Sequence, residues 1–351
     1  MKRTPFFARL PLYRIRECGR AVVLMCLLWA PQLAFAGVVK DMTVESPALG
    51  RPLAVSIYRP DGEAPATGWP VLYLLHGLNG CHRDWTSLGG LGATMDRLIA
   101  EHRIKPMLVV MPDAANSWYV NSAAIGGPGD YETAILEDLP KAIEQDYPVS
   151  RERDGRAIAG LSMGGYGALR LALTRPDRFV AVASLSGALW QNAPIEDQAS
   201  SGRSASNEYF HRLDAATVIG GVDAPPEGKH FGKAFGTPFD AKRFDAENVF
   251  TLLAQRVRQG DLLPAIYLTV GDHDSHLLWR GSIALYETLM ADGLDVNFRV
   301  TGGDHVWSLW SKSIADVLLF IDSKFTAKEL DVRAPANRAK PEVAGADVIV
   351  K

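Results

Sequence analysis

The chain is predicted to be an α/β protein, a mostly parallel twisted sheet with helices on both faces, and three observations predict it. Segments of strand character alternate with helical segments along most of the 351 residues, the order imposed by a parallel sheet and its crossover helices. Two strand segments, Val71-Leu72-Tyr73-Leu74-Leu75 and Met107-Leu108-Val109-Val110-Met111, are unbroken apolar runs, as expected of strands covered on both faces. Gly160-Leu161-Ser162-Met163-Gly164-Gly165 sets a serine in the bend between a short apolar strand and a helix. The pentapeptide G-x-S-x-G arises by chance in roughly one chain in ten of this length, so its weight comes from the strand and helix that flank it.

The first 36 residues read as a secretory signal. Lys2, Arg3, Arg9, Arg14, Arg16 and Arg20 precede the apolar run Ala21 to Leu33, and Ala34-Phe35-Ala36 supplies a small-x-small cleavage site. An uncleaved membrane anchor would need about 20 apolar residues, more than this run offers. Cys26 follows Val23-Leu24-Met25, without the small residues that precede a lipidated cysteine. The expected location is therefore the periplasm or the exterior, with no integral membrane segment after cleavage. Removing this segment takes away six basic residues and Glu17 and moves the formal charge from −3 to −8. A mildly acidic protein is not expected to bind nucleic acid or an anionic membrane surface. Cys18 and Cys26 leave with the signal, so Cys81 has no disulfide partner and stability must come from the core.

Residues 37–325 form the expected domain. Val38 to Val44 and Leu53 to Tyr58 read as an opening antiparallel pair, followed by the two apolar strands named above. Tyr131 to Gln145 carries Ile135, Leu136, Leu139 and Ile143 on one helical face. Arg156-Ala157-Ile158-Ala159 is the strand before the serine. The helix after it stops at Arg175-Pro176, because proline cannot continue the ladder. Phe179 to Leu185, Ala265 to Val270 and Val296 to Val300 supply the later strands. Residues 188 to about 260 break the rhythm with polar and small stretches. They are read as an insertion over the sheet, either a lid facing substrate or an irregular surface excursion. Residues 326–351 are expected to be a disordered tail.

A serine hydroxyl is a poor nucleophile at neutral pH, so Ser162 requires a base within hydrogen-bond reach and a carboxylate to orient that base. In a doubly wound sheet these lie at the ends of later strands, in the order serine, acid, histidine. His305, in Gly302-Gly303-Asp304-His305-Val306-Trp307, follows the last strand and is the expected base. Val270-Gly271-Asp272-His273-Asp274 follows the Ala265 strand and presents two aspartates; Asp274 is the expected acid, with Asp272 the alternative. The stretch Asp272 to His276 also holds metal-ligand residue types. A metal site would need a second cluster, which the sequence does not offer, so neither metal nor cofactor is expected. Two backbone N–H groups should face the oxyanion, that of Met163 at the start of the helix and that of Leu78 in His76-Gly77-Leu78-Asn79-Gly80. His76, at a strand end, is expected to serve a structural hydrogen bond. Asn116-Ser117-Trp118-Tyr119 and Trp190 could line an acceptor for phenolic or sugar esters.

Leu75-His76-Gly77-Leu78, Trp85, Met111-Pro112-Asp113, Asp130-Tyr131-Glu132, Gly160 to Gly165 and Gly303-Asp304-His305-Val306-Trp307 together resemble the esterase family of α/β-hydrolases, also called the esterase D group. The resemblance runs from about Val44 to Phe320. That family includes S-formylglutathione hydrolases, feruloyl and acetyl xylan esterases and mycolyltransferases. The resemblance implies an α/β-hydrolase fold, the triad Ser162, Asp274 and His305, oxyanion donors Leu78 and Met163, and an acyl-site position at Trp307. It implies a serine esterase acting on a small-molecule ester, with an acyltransferase or a thioesterase of the S-formylglutathione hydrolase type as alternatives. Two departures stand out: Asp304 precedes the histidine where the family often has an aspartate after it, and Cys81 lies one position beyond the thiol of the glutathione-linked members.

Overall fold

The computed structural model describes residues 36–190 and 231–326. The signal up to residue 35, the 191–230 part of the expected insertion and the tail from 327 onward lie outside the described residues. Eight strands form one sheet: β1 (Val38–Val44), β2 (Leu53–Arg59), β3 (Val71–Leu75), β4 (Leu108–Pro112), β5 (Arg156–Leu161), β6 (Ala181–Leu185), β7 (Ala265–Gly271) and β8 (Val296–Thr301), in the order β1-β2-β4-β3-β5-β6-β7-β8. The pairs β1–β2 and β2–β4 are antiparallel and the rest are parallel.

Alternation along the buried strands divides the apolar residues between two cores. Val71, Tyr73 and Leu75 of β3 join one core, and Leu72 and Leu74 join the other. The first is closed by the helical segment Tyr131–Asp146 (α3) and by α4 (Met163–Thr174), α6 (Val249–Gln259) and α7 (Trp279–Ala291). The second is closed by α1 (Asp84–Ser87), α2 (Leu91–Ala100) and α8 (Trp307–Thr326). This is the expected α/β-hydrolase architecture with helices on both faces.

Two features depart from the sequence reading. The helix expected over 131–145 is interrupted by a π turn, Ala134–Asp138. Pro140 follows it and has no N–H to give to the carbonyl of Leu136; Arg178 Nη1 takes that carbonyl at 3.2 Å instead. Second, the later part of the segment read as an insertion is built into the domain. α6 is the crossover helix between β6 and β7, with Val249, Leu252 and Leu253 buried. Phe231, Phe235 and Phe244, the last on the short helix α5 (Ala241–Ala246), are also core residues.

Arg170, on α4, is fully buried and ties these layers together. Its Nη1 donates to the Tyr119 carbonyl at 3.1 Å, its Nε donates to Glu247 at 3.0 Å, and its Nη2 reaches both Glu132 and Glu247. Replacing Arg170 by Met would leave two carboxylates, both only about a quarter exposed, facing each other without a cation. Breaking a buried pair in this way costs about 3 kcal/mol. The expected result is a lower urea midpoint with an unchanged slope.

Candidate active site

The parallel topology brings the ends of β3, β5, β7 and β8 to one rim of the sheet. β3 pairs with β4 on one side and β5 on the other, so the chain reverses its direction of winding there and leaves a crevice at the strand ends. Ser162 sits at the end of β5 in this crevice. Its backbone has φ 53° and ψ −118°, a conformation that costs a non-glycine residue about 1–3 kcal/mol and persists only where the surroundings hold it. They hold it firmly: Ser162 N–H donates to Leu185 O at 2.9 Å, and Ser162 O accepts the N–H groups of Gly165, Tyr166 and Ala188 at 2.9–3.1 Å. The bend also demands glycine at two flanking positions. A Cβ on Gly160 would lie 2.3 Å from Gly164 O, and one on Gly164 would lie 2.5 Å from His76 O.

His305 and Asp274 stand on the loops after β8 and β7. His305 Nε2 lies 3.0 Å from Ser162 Oγ, and His305 Nδ1 lies 2.8 Å from Asp274 Oδ2. The carboxylate can only accept at neutral pH, so Nδ1 carries the proton and Nε2 offers its lone pair to the serine hydroxyl. The imidazole is nearly buried and the Asp274 side chain is fully buried. Asp274 Oδ1 also accepts the N–H of His276 at 3.0 Å. Asp272 makes no contact with His305; its Oδ1 instead takes the Gly303 N–H at 3.0 Å and the His273 ring at 2.6 Å. The Asp272 carboxylate is held below its usual range, first by the Gly303 N–H and then by His273.

The turn after β3 approaches from the other side. A Cβ on Gly77 would stand 2.6 Å from Leu161 Cδ1 and 3.4 Å from Ser162 Cβ, so this backbone packs directly against the serine bend. Leu78 follows it and lines the same cavity, while Met163 opens α4 with its side chain buried. The N–H of a first helical residue has no partner within its helix. His76 is buried in a structural role: Nδ1–H donates to Gly77 O at 2.7 Å and Nε2 accepts from Ala114 N–H at 2.8 Å. Burial pushes its pKa down, in keeping with a neutral ring that accepts at Nε2. Tyr119 Oη donates to His76 O at 2.8 Å and braces this turn. Burial pushes the Cys81 thiol up, and its bond to Asp84 at 3.3 Å adds to that, so Cys81 is not a ready thiolate.

The cavity above Ser162 holds about 260 Å³. Trp118, Trp190, Trp307 and Trp310 form much of its wall, with His276 and Asn79 as polar members. The sequence reading gives Trp118, Trp190 and Trp307 to this site, counts His276 only among metal-type residues, and passes over Trp310. The His305 ring packs perpendicular to the rings of both His276 and Trp310, with centroids 4.6 Å and 4.9 Å away. Trp310 is fixed by its Nε1–H to Ser186 Oγ at 3.2 Å. The three-residue spacing of Trp307 and Trp310 on one helix face was the available signal. Two larger clefts, of about 770 and 880 Å³, lie at the other ends of the strands among charged residues such as Arg153, Asp154, Arg175 and Lys105. They contain none of the candidate catalytic, oxyanion or substrate residues read from the sequence. Among the described residues no cluster of His, Cys, Asp and Glu fits a metal ion, and no helix is long and apolar enough to cross a membrane.

Comparison with known proteins agrees with this fold. The family model described as "Putative esterase" matches residues 46–321. The chain is 36% identical over 239 residues to Esterase Rv1288 of Mycobacterium tuberculosis, covering 60% of this chain and 48% of that one. It is 30% identical over 167 residues to an endo-1,4-beta-xylanase/feruloyl esterase of Xylanibacter ruminicola, covering 46% of this chain and 23% of that one. The matched stretches thus span about half or less of these two relatives. Among solved structures, a ferulic acid esterase superposes with a TM-score of 0.62 at 23% identity, over 83% of this chain and 99% of that one. With a family match running from the turn after β1 into the last helix, the chain belongs to the Putative esterase family and has the α/β-hydrolase fold.

Proposed function

We propose that this protein is an exported serine carboxylesterase that cleaves small acyl, phenolic or sugar esters through an acyl-enzyme. The observation that carries the reading is the relay at the sheet rim, Ser162 Oγ to His305 Nε2 at 3.0 Å and His305 Nδ1 to Asp274 Oδ2 at 2.8 Å. In this reading Ser162 Oγ attacks the ester carbonyl as its proton passes to His305 Nε2. The carbonyl oxygen becomes an oxyanion between the backbone N–H groups of Leu78 and Met163. Collapse expels the alcohol, which takes the proton from His305. Water then attacks the acyl-enzyme with His305 as base, the acid is released, and Ser162 regains its proton. Asp274 stays ionised throughout and holds the imidazole in its Nδ1–H tautomer.

The tryptophan-lined cavity favours a compact or planar acyl group over a long chain, because about 260 Å³ is a small volume for a ligand pocket. Export is supported by the basic and apolar residues before Ala36 and by β1 starting at Val38, directly after the proposed cut. A glutathione thioester is disfavoured as substrate because Cys81 lies one position beyond the thiol of the glutathione-linked members and an exported protein would not meet the cytosolic adduct. The experiment that tests the reading incubates residues 37–351 with acetyl, feruloyl and acylated sugar esters, with and without added alcohol. We expect free acid to dominate under both conditions. Ester exchange that consumes most of the acyl group would assign the protein to acyl transfer instead, and no turnover of any ester would overturn the reading.

A further inference from the structure

We infer that Asp304 is a positioning residue for His305, a latch that fixes the loop carrying the base against the loop carrying the acid. The inference rests on the reading of Ser162, His305 and Asp274 given above. The parallel pairing of β7 with β8 ends at Gly271 and Thr301, three residues before Asp274 and four before His305. A contact of 2.8 Å between their side chains therefore depends on how the two loops are held beyond the ladder.

Two backbone bonds extend the pairing slightly, Asp272 N–H to Thr301 O at 2.9 Å and His273 N–H to Gly303 O at 3.0 Å. Past these, two carboxylates take over reciprocally. Asp272 Oδ1, on the acid loop, accepts Gly303 N–H of the base loop at 3.0 Å. Asp304 Oδ1, on the base loop, accepts Ser275 N–H of the acid loop at 2.7 Å and its neighbour His305 N–H at 2.6 Å. The two residues flanked by the latch bonds, Asp274 and His305, are the pair that must touch. One oxygen of an ionised carboxylate can accept both N–H groups, and a short aspartate reaches both without a flexible stem. The carboxylate is held below its usual range by His305 N–H first and Ser275 next, so both bonds persist at neutral pH. A base misplaced by about 1 Å can lower a rate by up to about 100-fold.

The test compares Asp304→Ala with Asp304→Asn in the otherwise intact protein. Alanine removes the acceptor, whereas asparagine keeps an oxygen that can accept both N–H groups and removes only the charge. We expect kcat on a nitrophenyl ester to fall about 30-fold in the alanine variant, with KM within about twofold, and to return to within about threefold in the asparagine variant. The low-field NMR signal of the His305 Nδ1 proton should broaden or move in the alanine variant and be retained in the asparagine variant. Thermal melting of both should stay within a few degrees of wild type, since the site is a surface loop. A wild-type kcat in the alanine variant, equal losses in both variants, or a change in KM alone would overturn the inference. Fluorophosphonate labelling of Ser162 in the wild-type protein is scored separately. Its absence would overturn the functional reading, while the Nδ1 proton signal still reports whether the latch holds the ring.

Discussion

Ser162→Ala should lower kcat on a nitrophenyl ester by about 10⁵-fold or more and leave the fold intact. The loss is this large because the remaining groups act through the serine. Without its oxygen, His305 has no nucleophile to deprotonate, and removing one member of such a unit costs nearly as much as removing all of it. Some acceleration over water remains from binding and from oxyanion donors. The fold should not notice the change. The strained backbone at Ser162 is held by four main-chain bonds, from its own N–H to Leu185 and to its carbonyl from Gly165, Tyr166 and Ala188. Alanine keeps all four. The side-chain oxygen is bonded to His305 Nε2, whose other nitrogen stays bound to Asp274. Active-site titration should give a burst in wild type and none in the variant, and mass spectrometry should find the phosphonate adduct on Ser162. Substantial turnover in the variant would remove Ser162 from the mechanism.

Much of the site could be read from residue order because local chemistry and topology agree there. The strand, serine and helix around Ser162 specify a bend that only glycine at 160 and 164 permits. Parallel order then places the loops after β7 and β8 on the same rim as that bend. Other features were hidden because tertiary partners decide them. The π turn in the helix after Tyr131 accompanies Pro140, and the carbonyl this proline leaves unbonded is taken by Arg178, 42 residues away. The crossover helix Val249–Gln259 lay inside a stretch whose polar flanks suggested an insertion, and its apolar face becomes legible only once packed on α4. His276 and Trp310 pack on the imidazole from a loop and a helix that sequence spacing does not connect. Asp304 was noticeable as a departure from the family pattern, but its two N–H partners emerge only when both loops are seen together.

The second large effect is expected at Asp274, where asparagine should lower kcat by about 10⁴-fold while the isosteric change at Asp272 costs less than about tenfold. The difference follows from what each oxygen touches. Asp274 Oδ2 receives His305 Nδ1–H at 2.8 Å; Oδ1 receives the N–H groups of His276 at 3.0 Å and Leu278 at 3.4 Å. Both oxygens face donors, and asparagine has only one acceptor oxygen. If that oxygen faced the imidazole, the amide NH₂ would be pressed against two backbone N–H groups in a fully buried position. Leaving such groups unpaired costs about 1–3 kcal/mol each. The amide therefore turns the other way, keeps its oxygen on the loop and donates from NH₂ to His305 Nδ1. That donation moves the ring proton to Nε2, where it points at Ser162 Oγ, and the base loses the lone pair it needs. The geometry survives and the protonation pattern does not, so the variant should crystallise with the same loop and react slowly with fluorophosphonate. Asp272 is exposed and its carboxylate bonds to Gly303 N–H and the His273 ring, so its replacement disturbs the spacing of the loops without reversing the tautomer. Rate constants for Ser162 labelling in the two variants measure this directly, and a larger loss at Asp272 than at Asp274 would reassign the acid.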